Sequence, residues 1–235
     1  MAGKSRRPWA LVGTAVLAAL VAAGALVGAR MVSEQPTAAQ PTVARSSQPA
    51  PVGVRGCRIE PCAVLASAAV AGTSVELLAD AGARSGRLRI GGPSSGTVIE
   101  TTVTDLGVTL TRSSLTCLAR ALSACLVLGE YQGGTAGQVV VGRSGHWSSL
   151  AKPFVSDAGY LALAEVTGRL SGPEVVAVQH ECDRTADSGC ADAPVFAQVF
   201  ATTGVEVQCT RRYPSLEAMP GYPSVTLADP DLSPC

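Results

Sequence analysis

From residue 54 onward the chain alternates short apolar runs with clusters of Gly, Ser, Asp and Pro. The runs are rich in Val, Ile, Leu and Thr, which is typical of β-strands separated by turns. Few stretches keep a helical period. We predict strands at 63–70, 74–79, 86–90, 97–104, 108–111, 126–131, 137–142, 146–150, 160–166, 175–179, 195–201, 205–208 and 224–227. The pattern therefore predicts an all-β domain.

Three pairs of cysteines each precede a predicted strand: Cys57 with Cys62, Cys117 with Cys125, and Cys182 with Cys190. Other short matches recur at a spacing similar to that between the second and third pairs. This period predicts an antiparallel fold of three disulfide-clipped repeats of about 65 residues. A propeller-like stack, a β-trefoil and a sandwich all fit it. The Ala- and Leu-rich stretch between Cys117 and Cys125 has the composition of a helical turn.

The segment 161–178 consists of an apolar run, a short glycine-containing loop and a second apolar run. It resembles a blade of the FG-GAP or VCBS type of β-propeller repeat over about twenty residues. In that family the loop carries aspartates that bind calcium. Residues 167–172 contain none, so the resemblance implies a propeller-like blade and no calcium site. Three units are fewer than the four blades that a closed propeller usually has.

The amino terminus has the pattern of a membrane signal-anchor. Residues 1–8 are basic, and residues 9–29 form an uncharged run rich in Ala, Val and Leu. A helical run of that length spans the hydrocarbon core of a bilayer, and basic residues before a span favour a cytoplasmic amino terminus. The alternative is a cleaved signal peptide, because Val27, Gly28 and Ala29 resemble a cleavage site. In both cases the remainder of the chain is expected outside the cytoplasm.

The segment 30–53 contains four prolines among Gln, Thr, Ala and Ser. Such a composition cannot bury enough apolar surface to order itself, and it predicts a disordered linker. The expected organisation is a cytoplasmic tail at 1–8, a transmembrane signal-anchor at 9–29, this linker, and an extracytoplasmic all-β domain at 54–235.

All eight cysteines lie in the predicted extracytoplasmic domain. An oxidising compartment favours disulfides over metal ligation or thiol catalysis. The repeat predicts the three local pairs named above and leaves Cys209 to pair with Cys235. A zinc site is the alternative for the local pairs, but neither His146 nor His180 recurs with the cysteines, and no metal or cofactor is expected.

The formal charge of the whole chain is zero, but the charge is unevenly distributed. Residues 1–53 carry five basic groups and one acid, which leaves thirteen basic and seventeen acidic groups in the domain. A mildly acidic domain without a basic stripe is a poor partner for phosphate groups. Nucleic acid is therefore excluded as an expected partner.

Candidate catalytic residues are few. The chain has two histidines, His146 and His180, and Ser144 lies in a Gly-Arg-Ser-Gly stretch that lacks the spacing of a nucleophile elbow. A hydrolase that uses Ser144, one of these histidines and Asp183 is the alternative function. Neither a P-loop nor a dinucleotide-binding fingerprint occurs in the sequence.

Two groups of residues are candidates for binding. Asp183, Asp187 and Asp192 surround the third cysteine pair, where a solvated acidic loop is the alternative to a binding or metal site. Trp147 and Tyr213 fall at equivalent positions of the repeat. They would form either an exposed platform for a sugar or peptide or two aromatic plugs of the core.

Together these features predict a single-pass membrane protein whose extracytoplasmic domain binds a partner or has a structural role in the cell envelope. The expected partner is an envelope protein or a glycan. The alternative locations and activities are a secreted domain after signal-peptide cleavage and the hydrolase described above. The oligomeric state has no signature in the sequence.

Overall fold

Strands and short 3-10 turns make up the regular structure of the described residues, and no α-helix occurs among them. The computed structural model describes residues 58–95, 97–168, 170, 172–182 and 190–235. All strand pairs are antiparallel. The predicted all-β, antiparallel class is therefore confirmed.

The strands form three sheets, each built from consecutive segments of the chain. The first sheet contains β1 (Ala63–Val70), β2 (Thr73–Ala79), β3 (Gly86–Ile90) and β4 (Thr97–Glu100). The second contains β5 (Leu115–Ala119), β6 (Ser123–Tyr131), β7 (Gly134–Arg143), β8 (His146–Ser149) and β9 (Phe154–Ser156). The third contains β10 (Leu161–Ala164), β11 (Glu174–His180), β12 (Val195–Ala201), β13 (Glu206–Thr210) and β14 (Leu232–Ser233).

Within each sheet the strands follow in chain order, and β9 pairs with the half of β7 that β8 leaves free. Short 3-10 turns lie at Val103–Leu106, Cys190–Asp192, Leu216–Ala218 and Asp229–Asp231. Consecutive strands in one sheet mean that most pairing is local in sequence. Long-range structure therefore comes from the packing of one sheet on the next.

Three apolar clusters hold the sheets together. The first lies between the first and second sheets and includes Val75, Leu88 and Val127. A second joins the second sheet to the third through Leu126, Leu161 and their neighbours. The last lies on the opposite face of the third sheet, which the segment after β13 covers with side chains from Tyr213 to Leu227. The third sheet is thus packed on both faces near β11.

Several predicted strands match their observed bounds, and others need correction. The stretch from Cys117 to Cys125 is a β-hairpin rather than a helical turn, with the two cysteines directly opposite each other on β5 and β6. The predicted strand at 97–104 ends at Glu100, and 108–111 and 224–227 contain no strand. The short strands β9 and β14 were not predicted.

The cysteine pairs do not mark the start of each sheet. Cys182–Cys190 lies in the connection between β11 and β12, inside the third sheet. The strands predicted at 160–166 and 175–179 belong to that sheet and not to the second repeat. Each repeat was predicted to begin at a cysteine pair, so its boundaries differ from those of the sheets.

The predicted disulfides involve every cysteine in the described residues. Cys117–Cys125, Cys182–Cys190 and Cys209–Cys235 are bonded, with Cα–Cα distances of 4.1, 5.5 and 5.0 Å. Cys62 is also in a disulfide, while its predicted partner Cys57 lies outside the described residues. The predicted tail, signal-anchor and linker at 1–53 lie outside them as well. No helix within the described ranges has the length and apolar character needed to cross a bilayer.

Candidate functional site

One face of β12 is only partly covered by the rest of the protein. Its register with β11 is continuous, so alternate side chains point to opposite faces of the third sheet. Val195, Ala197 and Val199 are buried in the cluster beneath the sheet. Phe196, Gln198 and Phe200 lie on the other face and are half-buried. Strands β10 and β11 cover the second sheet with this face, and β12 continues the face so that only its Phe200 packs against that contact.

All three phenylalanines of the chain lie on this surface or at its margin. The rings of Phe154 and Phe200 meet edge to face, with 5.3 Å between their centroids. Phe196 lies four residues from Phe200 on the same face of β12, which is about 13 Å along an extended strand. We call the surface formed by Phe196, Gln198 and Phe200, with the buried Phe154 at its margin, the phenylalanine surface. Only 4% of the residues in the chain are aromatic, so this grouping of phenylalanines distinguishes the phenylalanine surface from the rest of the protein surface.

A groove of about 460 Å³ lies at the Phe200 end of the phenylalanine surface. It runs between the β8–β9 connection and the β12–β13 turn. Its lining residues are Leu150, Ala151, Lys152, Pro153, Phe154, Val155, Phe200, Thr203 and Gly204. Most of these side chains are apolar, and Lys152 is the only charged one. We call it the lysine groove.

A second groove of about 530 Å³ lies at the Phe196 end. Its lining is more polar and includes Phe196, Gln198, Arg212 and the Cys209–Cys235 disulfide. Arg212 forms an ion pair with Glu181. The amide of Gln198 donates a hydrogen bond to Glu206, with 2.6 Å between Nε2 and Oε2. Since these charged and amide groups already have partners, the half-exposed ring of Phe196 is the main apolar contact available here.

A third groove, of about 540 Å³, lies in the second sheet and the segment before it. Hydroxyl groups dominate its lining, and Glu130 is its one charged residue. It contains no aromatic side chain. Because sugar sites usually combine hydroxyl-binding groups with a ring on which the sugar stacks, this groove is a weaker candidate for a glycan site than its polarity suggests.

Trp147 and Tyr213 do not come together as an exposed platform. Tyr213 is 4% exposed and belongs to the core beneath the third sheet. Arg211 covers its ring, with the guanidinium carbon 4.3 Å from the ring centroid. The half-buried indole of Trp147 lies across the strand from Gly142, where an added Cβ would come within 2.6 Å of it. Both aromatic residues therefore fill space in the fold.

Ser144 lies in the tight turn between β7 and β8, and His146 is the first residue of β8. Ser144 and Gly145 have φ values of 50° and 82°, as a two-residue type I′ hairpin turn requires. The side chains of Ser144 and His146 are exposed, and neither lines any of the three grooves. Within the described residues no serine hydroxyl is hydrogen-bonded to a histidine ring. The geometry at Ser144 is that of a turn residue.

His180 lies at the end of β11, close to Asp157. Its Nδ1 is 3.4 Å from Asp157 Oδ1, and its backbone N–H donates to the same oxygen at 2.7 Å. The side chain of Asp157 therefore ties the β9–β10 connection to the end of β11. His180 lines none of the three grooves. This contact holds two segments together, and Asp183, the other predicted partner, lies outside the described residues.

The acidic group near the third cysteine pair is described only in part. Asp192 is exposed in the short turn Cys190–Asp192, and Asp183 and Asp187 lie outside the described residues. Asp157 lies near the sulfurs of Cys182 and Cys190, and Glu206 lies near those of Cys209 and Cys235. In both places the sulfurs are joined in disulfides. They therefore offer no thiolate to a metal ion.

The chain has no match among known families, curated proteins or solved structures. The segment 161–178 does form two neighbouring antiparallel strands, β10 and β11, joined by its glycine-containing loop. Its resemblance to an FG-GAP or VCBS blade stays a prediction. Sequence reasoning did not identify the phenylalanine surface, although the spacing of Phe196, Gln198 and Phe200 within a predicted strand already places them on one face.

Proposed function

We propose that this chain is a membrane-anchored, extracytoplasmic binding domain of the cell envelope, and that the phenylalanine surface contacts its partner. The observation that carries the proposal is the row of half-buried side chains Phe196, Gln198 and Phe200 on one face of β12, which lies beside two grooves. Neighbouring large apolar side chains at a surface mark binding sites more often than single exposed apolar residues do. The partner is an envelope component, either a protein or a glycan.

Two features support the proposed location. The basic tail and apolar run at 1–29 have the pattern of a signal-anchor, and the Pro-rich linker at 30–53 would hold the domain away from the bilayer. The disulfides in the domain favour an oxidising compartment. A domain held near the membrane by a linker is suited to contact other envelope components.

We also propose that the domain consists of three disulfide-clipped repeats of about 65 residues in a propeller-like or β-trefoil-like arrangement. Support comes from the recurrence of the cysteine pairs along the sequence and from three successive sheets of consecutive strands. The first two sheets share another feature, which is a tight hairpin turn with glycine in its second position. If the domain has three such units, the phenylalanine surface belongs to the third sheet alone.

The location can be tested in intact cells that express the full chain. Mild reduction followed by a membrane-impermeant maleimide should label the cysteines of the domain, and omission of the reductant should abolish labelling. The mass of the isolated protein then distinguishes an uncleaved anchor from a product that begins after Ala29. Labelling only after the cells are broken would contradict an extracytoplasmic location.

Binding can be tested with the full chain in lipid nanodiscs immobilised on a sensor surface. A solubilised envelope fraction should bind saturably, and Phe196→Ser should reduce binding by at least tenfold, because it removes a half-exposed aromatic contact. Val64→Ser is the matched control, since Val64 is 42% exposed on β1 of the first sheet. Equal binding by both variants, each checked for a native thermal unfolding transition, would exclude the phenylalanine surface.

A further inference from the structure

The lysine groove combines apolar walls with a single cation at its rim. Phe154 and Phe200 form an aromatic pair in the wall, and Leu150, Pro153 and Val155 add aliphatic surface. Phe154 is 8% exposed, so it belongs to the protein interior and contributes little surface to the groove. The volume of about 460 Å³ is in the usual range for small-molecule sites. Apolar walls of this kind favour a hydrocarbon chain or ring.

The ammonium group of Lys152 is available to a ligand. Lys152 is the only lysine of the domain, and it is exposed at the edge of the groove. No carboxylate of the described residues lies within 4.0 Å of it, whereas the arginines at 58, 87, 89, 120 and 212 all have an acidic partner. A cation that is not paired within the protein can pair with an anionic group of a ligand.

The rest of the groove restricts the chemistry of that ligand. Thr203 contributes the one hydroxyl side chain of the lining. A neutral sugar would need several hydrogen-bonding groups, and a phosphate dianion would normally be bound by more than one cation or by an array of backbone N–H groups. One ammonium group beside apolar walls instead matches a monoanion with a hydrocarbon tail.

We propose that the lysine groove binds a single-chain apolar carboxylate of the fatty-acid type. The tail lies against Phe154 and Phe200, and the carboxylate pairs with Lys152. This inference rests on the proposed function, because the groove lies at one end of the phenylalanine surface. It goes further by specifying the chemical class of the ligand, a carboxylate with an unbranched or weakly branched alkyl chain.

Chain length provides the first test. The full chain in lipid nanodiscs is titrated calorimetrically with butanoate, hexanoate and octanoate, and the heat from empty nanodiscs is subtracted. Affinity should rise by about two- to fourfold for each added methylene, since each buries further apolar surface in a half-open groove. Equal affinities along the series, or no saturable binding by octanoate, would overturn the proposal.

The charge of Lys152 provides the second test. Wild-type protein should bind octanoate about fivefold more tightly than octanol, and Lys152→Gln should remove that preference while octanol binding stays the same. Lys152→Glu should reverse it and favour octylammonium. Arg143→Gln is the matched control, because Arg143 is also exposed and has no acidic partner among the described residues but lies at the end of β7 and does not line the groove. An unchanged octanoate preference in Lys152→Gln would contradict the assignment.

Failure of this inference can be separated from failure of the proposed function. If octanoate does not bind but envelope binding still depends on Phe196, the ligand assignment is wrong and the binding role of the phenylalanine surface stands. If octanoate binds as expected while Phe196→Ser leaves envelope binding intact, the groove is a ligand site and the wider surface is not the partner contact.

Discussion

Asp80 is held at the end of β2 by an unusually large number of donors. One carboxylate oxygen accepts hydrogen bonds from Arg87 at 2.6 Å and from the Ser85 hydroxyl at 2.8 Å, and the other accepts from the backbone N–H of Arg58 at 3.2 Å. Burial acts to raise the pKa of Asp80. The hydrogen bonds from Ser85, from the backbone of Arg58 and Ile59, and from Arg87 outweigh it, so the pKa lies below its usual value.

This network predicts a pH-dependent contribution to stability. Because the pKa of Asp80 is lower in the folded protein than in the unfolded chain, its ionised carboxylate stabilises the fold at pH values above 3.8, the ordinary pKa of the group. That stabilisation is lost as the pH falls below 3.8 and passes through the pKa of Asp80 in the folded protein. Asp80→Asn should therefore be less stable than wild type at pH 7, and the difference should shrink as the pH approaches 3. Urea denaturation at a series of pH values measures it, and a difference that is constant from pH 7 to pH 3 would contradict the assignment.

For single residues, the sequence predicts the face of the strand on which a side chain lies better than it predicts whether that side chain is buried. The alternation in β3 places Leu88 in the core and turns Arg87 and Arg89 to the opposite face, as the strand pattern requires. The two arginines are nevertheless buried, 1% and 4% exposed, in ion pairs with Asp80 and Glu76. Their partners lie on or beside the neighbouring strand, so the pairing depends on a register that the sequence alone does not specify.

At the scale of elements, three hairpins use the same two-residue turn. The pairs Ala71-Gly72, Gln132-Gly133 and Ser144-Gly145 all have positive φ at both residues. Type I′ turns of this kind match the twist of the strands that they connect. The second position is always glycine, whereas the first is occupied by a residue that has a Cβ and adopts the left-handed conformation at some cost.

The turn between β6 and β7 can be improved or impaired by single substitutions. Gln132→Asn should stabilise the protein by about 0.5 kcal/mol, because asparagine tolerates the left-handed region better. Gly133→Ala should destabilise it by about 1 kcal/mol, since a Cβ is unfavourable at φ of 82°. Urea denaturation measures both, with Gln132→Ala as the control. Equal stability of the asparagine and alanine variants would argue against strain at this position.

Some strands were predicted with correct bounds, and one of these turns accounts for the end of β1. The turn at 71–72 ends β1 at Val70, and β3 and β12 also agree with their predicted ranges. The stretch 117–125 was predicted wrongly because its Ala and Leu residues favour a helical turn locally. Pairing of β5 with β6, in register at the disulfide, outweighs that preference. Local propensity loses to pairing when both strands belong to a larger sheet.

At the scale of the whole molecule, the second and third sheets approach closely at a glycine. A Cβ added to Gly137 of β7 would come within 2.8 Å of Leu161 on β10 and of Leu126 on β6. The absence of a side chain there lets β10 pack against β7. The position of the third sheet therefore depends on this contact, and the position of the phenylalanine surface on β12 depends on it as well.

A double-mutant cycle tests that contact. Gly137→Ala should destabilise the protein by about 1–3 kcal/mol through overpacking, and Leu161→Ala by about 2–5 kcal/mol through lost burial. The double variant should be destabilised by clearly less than the sum, because the smaller residue at 161 makes room for the new methyl group. Gly137→Ala combined with Leu88→Ala in the other cluster is the control and should be additive. Additivity in both cycles would contradict close packing at Gly137.

The grouping of strands into sheets was the least predictable feature. The cysteine pairs suggested repeats that begin at residues 57, 117 and 182, but β10 and β11 join the third sheet and place Cys182–Cys190 within it. The phenylalanine surface depends on that grouping, since β10 and β11 pack on the second sheet while β12 contributes only the partly buried Phe200 to that cluster. Alternation along β12 could be inferred from sequence, whereas the extent of the cover could not.

The central claim is that the phenylalanine surface contacts a partner in the envelope. Site-specific photocrosslinking in living cells tests it most directly, with the photoreactive amino acid p-benzoylphenylalanine in place of Phe196 in one strain and of Val64 in another. Illumination should give a discrete crosslinked product from position 196 and none from position 64. No product from position 196, or the same products from both positions, would contradict the claim.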